Sequence, residues 1–177
     1  MRYSLFCFPL FLLIPILSSA ISLSDIDNNP DRYIDVSNHE VFVDVDTIES
    51  VRYAPPYYTL KAEVYSVYPN SIVESTYAVG YNYERSYAGI KEYISQNYPN
   101  ISAADKAKLL NTQIQSNTGM YCSIQDENIY NLQGELLNQV ESNYSQQDIT
   151  FMSPAFYVGN YLFYRYYHQF FLPNERY

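Results

Sequence analysis

The chain has no tryptophan among its 177 residues, and only two cysteines, two histidines and five glycines. Two cysteines cannot staple a small core, so a disulfide-dense scaffold is excluded. The glycines do not gather into a phosphate-cradling loop, and G-x-S-x-G, C-x-x-C and H-E-x-x-H are absent. Basic residues are scarce too. Ten lysines and arginines face nineteen acids, a net charge of −9. Affinity for a phosphate backbone comes from clustered cations, so nucleic acid is not an expected partner. What is plentiful is tyrosine, with 22 residues beside nine phenylalanines. A hydrophobic content of 47% excludes a disordered polar chain. The length suits one domain with a closed core.

Met1 to Ala20 has the layout of a secretory signal peptide. Arg2 gives the positive start, Leu5 to Leu17 the apolar run, and Ser18-Ser19-Ala20 the small residues before cleavage. The run is short for a bilayer span, which needs about 20 apolar residues, and Pro9 and Pro15 interrupt it. Ser4-Leu5-Phe6 before Cys7 lacks the small residues of a lipid-attachment site. The expected location is therefore secreted, periplasmic or at the cell surface, with no membrane span after cleavage. Losing Arg2 takes the net charge from −9 to −10, and losing Cys7 leaves Cys122 alone. A lone thiol in an oxidising compartment is best buried as a small hydrophobe.

Residues 21–31 read as a polar linker. The string Asp25-Ile26-Asp27-Asn28-Asn29-Pro30-Asp31 fails as a calcium loop, because Pro30 stands where glycine is needed and Val36 where a bidentate glutamate is needed. From residue 32 to 177 the pattern predicts a single α+β domain, an antiparallel sheet packed against helices. Short strands are predicted over Arg32–Val36 and Val41–Val45, with a helical turn near Asp46 that ends before Pro55-Pro56. Tyr57 to Tyr68 and Ile72 to Tyr87 alternate with period two around Pro69-Asn70, which predicts a long hairpin whose tyrosine-rich face meets the helices. Ile90–Gln96 and Ser102–Asn117 read as helices, the second opened by a Ser102-x-x-Asp105 cap. Met120–Gln125 and Asn128–Leu132 read as two strands around a turn at Asp126-Glu127, and Leu136–Val140 as a strand or helical turn. Ser153-Pro154 then opens an aromatic-rich C-terminal helix running to Phe171.

No cofactor or metal set is legible. A hydrolase would have to recruit His39 or His168 to a carboxylate and a hydroxyl, and nothing in the sequence selects either. Asp44, Asp46 and Glu49 invite a glycosidase reading, but Asp44 and Asp46 alternate with Val43 and Val45 as a solvated strand face does. The sequons at Asn100 and Asn143 bear on the chain only in a eukaryotic host. The terminal helix carries more aromatic surface than one contact hides. Its stripe Tyr161, Tyr164, Arg165 and His168, at i, i+3, i+4 and i+7, is the candidate binding surface.

Tyr33-Ile34-Asp35, the segment Val41 to Ser50 (VFVDVDTIES), Tyr121-Cys122-Ser123, Leu132 to Leu137 and Ile149 to Pro154 follow one another in an order that resembles the surface-adhesin protein E-like group of small secreted bacterial proteins. The resemblance spans most of residues 31–171 and implies an antiparallel sheet with helices. It also implies binding to a host or envelope protein, and self-association as a homodimer. The chain departs from the group in two ways. With Cys122 alone the group's disulfide cannot form, and the helical insert at Ser102–Asn117 is longer. The function expected is a non-enzymatic binding domain; a small hydrolase and a structural envelope protein are the alternatives.

Overall fold

The computed structural model describes residues 21–173; the expected signal peptide lies outside them. Seven strands form one antiparallel sheet: β1 (Tyr33–Asp35), β2 (Val41–Asp44), β3 (Glu49–Ala54), β4 (Tyr57–Tyr68), β5 (Ser71–Asn82), β6 (Met120–Tyr130) and β7 (Leu136–Asp148). The order is β1-β2-β4-β5-β6-β7. β5 lines the whole of one side of β4, so β2 and β3 share the other side. β2 pairs with Val64–Ser66 and β3 with Tyr57–Lys61. Among the described residues four helices accompany the sheet: α1 (Leu23–Asn28), α2 (Tyr87–Asn97), α3 (Ala103–Ser116) and α4 (Pro154–Tyr167). The predicted α+β class and the aromatic-rich C-terminal helix are both present. Among the described residues no helix is long and apolar enough to cross a membrane.

The hairpin forms as its alternation demands. Tyr58, Leu60, Ala62 and Val64 of β4 pair with Tyr81, Val79, Tyr77 and Ser75 of β5. This face meets α4, where the rings of Tyr58 and Tyr81 lie 6.2 and 4.9 Å from that of Phe163. Ser153 caps α4 by accepting from the Phe156 N–H, and Pro154 fills the first turn. Phe156 through Phe163 are buried without a break. A helix buried on every side needs cover beyond the sheet. That cover comes from Ile90 and Ile94 of α2, Ile114 of α3, and the returning Phe171 and Leu172. Gly159 lets the helix sit close: a Cβ there would come within 3.0 Å of the Met120 sulfur. The Tyr81 hydroxyl donates to the Gly159 carbonyl at 2.8 Å.

Several expectations are corrected. Residues 21–31 are not a flexible linker. Ser22 and Asp25 form a reciprocal capping box that starts α1, and Ile21 and Ile26 pack on Tyr33, Phe42, Tyr65, Ile72 and Tyr130 on the opposite face of the sheet. A few apolar anchors suffice there, because distant strands supply the pocket. Residues 120–130 are one strand and not two. Asp126 accepts from Ser75 and Ser142, and Glu127 from Thr76, so the polar pair is satisfied within a bulged ladder. β5 ends at Asn82, where its side chain caps a 3-10 turn over Tyr83–Arg85; Ser86 then caps α2. The C-terminal helix ends at Tyr167 and not Phe171, closed by His168 in the left-handed region at φ 58°.

Candidate interaction surface

The expected stripe does not survive as one surface. Tyr161 falls inside the buried run of α4, where burial raises its phenol pKa against the lowering pull of Arg165. Tyr164 is 40% exposed and stacks at 4.5 Å on Phe170. Arg165 is exposed in the last turn. His168 is exposed but has left the helix, so the i+7 register is broken. Tyr164, Arg165 and His168 thus lie at the open end of α4, and Tyr161 belongs to the core.

A different aromatic surface is continuous. Tyr53 of β3 meets Tyr58 at 5.3 Å, Tyr58 meets Tyr167 at 5.5 Å, and Tyr167 meets Tyr166 at 5.0 Å. The two ends of this ridge are open, Tyr53 at 69% and Tyr166 at 43%. Its middle is anchored on Phe163, which contacts both Tyr58 and Tyr167. Beside it Val51 is exposed, and the Arg52 guanidinium lies 5.7 Å over the Tyr57 ring. Every residue of β3 is exposed. The signal for this strand is the alternation Val51-Arg52-Tyr53 before Pro55, which the reading of a short helical turn passed over.

The carboxylates of the glycosidase reading do not share a solvated face. Asp44 is fully buried and held by Arg32, with Nη2–Oδ2 at 2.7 Å and Nε within 3.1 Å of both oxygens. It also accepts from the Asp46 N–H, so the chain turns into a 3-10 helix at Val45 and the strand parity ends. Asp46 is exposed, and Glu49 lies 3.5 Å from Lys61. His39 sits in an exposed turn, 3.2 Å from Asp35.

A polar cluster centred on Glu74 lies on the face away from α4. Glu74 accepts from Asn128 Nδ2 at 2.6 Å, the Tyr130 hydroxyl at 3.0 Å and the Tyr65 hydroxyl at 3.2 Å. The same Tyr65 hydroxyl lies 3.4 Å from Glu63. Burial, then Glu74, Asp44 and Glu127, push the Glu63 carboxyl above its usual range. Among the described residues no group of His, Cys, Asp and Glu is placed to hold a metal ion. Cys122 is buried and free, its thiol pushed up to about 12 by burial, so it stays protonated and unreactive at neutral pH.

No family model, curated protein or solved structure matches the chain.

Proposed function

We propose that the chain is a non-enzymatic, adhesin-like binding domain, secreted or held at the cell surface, that docks a protein partner through the ridge from Tyr53 to Tyr166. The observation that carries this reading is the ridge itself: four tyrosines in ring contact, open at both ends and anchored in the middle on a core phenylalanine. Tyrosine and arginine are enriched where proteins meet, because a ring buries apolar area while its hydroxyl stays satisfied. Packing on Phe163 fixes the two middle rings beforehand, so little of their side-chain freedom is lost on docking. Tyr164 and Arg165 at the end of α4 extend the same region of the chain.

The test is surface plasmon resonance against immobilised extracellular-matrix proteins and envelope protein fractions. The double variant Tyr53→Ser, Tyr166→Ser should weaken the strongest wild-type signal by about tenfold or more, the scale expected when hot-spot rings are truncated. Its melting should match wild type, since both rings are exposed. Wild-type binding by this variant would remove the ridge from the interface. Sedimentation at several concentrations identifies the case where the partner is a second copy.

A further inference from the structure

Beyond the ridge, Tyr58 lies 6.0 Å from Tyr83, and Tyr83 opens a groove between the 3-10 turn, α2 and α3. The groove encloses about 620 Å³, within the roughly 300–1,000 Å³ of small-molecule sites. Tyr83 and Tyr93 line it, together with Arg85, Glu92, Gln96 and Gln113. Ile90 is buried beneath it. The planar polar groups are set in two hydrogen-bonded pairs. Arg85 Nη1 donates to Gln113 Oε1 at 2.9 Å, and Gln96 Nε2 donates to Glu92 Oε1 at 3.0 Å.

The pairing decides which atoms remain to bind. Arg85 spends Nη2 on the carbonyls of Gln113 and Asn117, at 3.0 and 3.2 Å, where it caps the end of α3. These partners are neutral oxygens, so the guanidinium keeps its charge, and its buried Nε has no hydrogen-bond partner among the described residues. Fixing Gln113 Oε1 leaves the Nε2 of that amide as a donor, and fixing Glu92 Oε1 leaves its Oε2 as an acceptor. A donor, an acceptor and two tyrosine rings in one lining suit a ligand that carries adjacent hydroxyls on an apolar ring. The corner is also rigidly built: a Cβ on Gly89 would come within 2.6 Å of the carbonyls of Tyr83 and Glu84. Two carboxylates, Glu84 and Glu92, outnumber the single cation Arg85 in the lining, which disfavours an anionic ligand.

We infer that this groove is a binding site for a short uncharged oligosaccharide. The inference does not rest on the ridge; its residues and its ligand are different.

The chain is titrated with chitotriose, maltotriose and cellotriose, followed by the side-chain amide NMR signals of Gln96 and Gln113. At least one trisaccharide should shift both amides in a saturable way. Tyr93→Ala should weaken that binding about tenfold, as expected for one lost ring face, and Tyr93→Phe should keep it. Tyr93 is 52% exposed, so its removal should leave the fold unchanged. Tyr53→Ser should not alter the titration, which separates this site from the ridge. Three results would overturn the inference: no trisaccharide shifts either amide at tens of millimolar, Tyr93→Ala leaves the affinity unchanged, or trilysine shifts the amides when the sugars do not.

Discussion

On one face of the sheet, Leu60, Ala62, Val64, Val79 and Tyr81 lie under a helix that is buried on every side from Phe156 to Phe163. On the other face β4, β5 and β6 present Glu63, Glu74, Thr76 and Asn128, and a small cluster around Tyr65 and Ile72 is sealed by α1. Alternation along each strand produces both faces at once. Their means of cohesion differ. The α4 face relies on apolar area and ring packing, which are non-directional and cooperative. The other face relies on hydrogen bonds among carboxylates, hydroxyls and one amide, each needing its own partner. A ring lost from the first face leaves a hole, whereas a group lost from the second face is replaced by water wherever water can reach.

That contrast is broken or sharpened first at Phe163. It contacts Tyr58, Tyr81, Tyr167 and Phe171 and is about 1% exposed. Phe163→Ala should cost about 3–5 kcal/mol, the range for emptying a core aromatic site. Urea unfolding of the variant and wild type, with unchanged slope, measures it. A cost below about 1 kcal/mol would mean that the site collapses freely and that the α4 face is not the main core.

Asp44 is the sharper probe of directional cohesion. It ties Arg32 to the start of the 3-10 turn and accepts the Asp46 N–H. The Arg32 side chain is 47% exposed and can rehydrate, so breaking the pair should not reach the cost of orphaning a buried charge. Asp44→Ala should cost about 2 kcal/mol, from the lost cap and charged hydrogen bonds together. The same urea titration reads it, and a cost equal to that of Phe163→Ala would erase the distinction between the faces.

What could be read ahead of the structure follows the same division. The hairpin, the caps at Ser102 and Ser153 and the alternating core positions are local signals, and they were legible. The missed features depend on partners far away in the chain. Residues 21–31 look polar because the pocket for Ile26 is assembled from β1, β2, β4, β5 and β6. Asp126-Glu127 looks like a turn until Ser75, Thr76 and Ser142 are brought beside it. The stripe on α4 followed helical spacing correctly. Spacing alone could not show that Tyr161 would be covered, nor that His168 would turn out of the helix. The ridge joins residue 53 to residue 166, and no local window contains both.

The smallest expected effect has the opposite sign. Glu63 shares the Tyr65 hydroxyl with Glu74, and burial together with Glu74, Asp44 and Glu127 raises its pKa above the usual carboxylate value. A carboxyl whose folded pKa is raised binds its proton more tightly in the folded chain than in the unfolded one. Its contribution to stability is therefore fully present below the unfolded pKa and is lost as pH rises through the raised folded value. At neutral pH the ionised Glu63 opposes folding. Glu63→Gln keeps an acceptor for the Tyr65 hydroxyl and removes the charge, so it should stabilise the chain at pH 7 by up to about 1 kcal/mol, a partly exposed group being screened by solvent. Near pH 4 and below, the advantage should vanish, because wild type is then protonated at this position. Thermal melts of both proteins between pH 4 and 8 give the difference directly. A gain that does not change with pH would locate the effect in packing and not in charge, and a loss at pH 7 would show that Glu63 holds this face together instead of straining it.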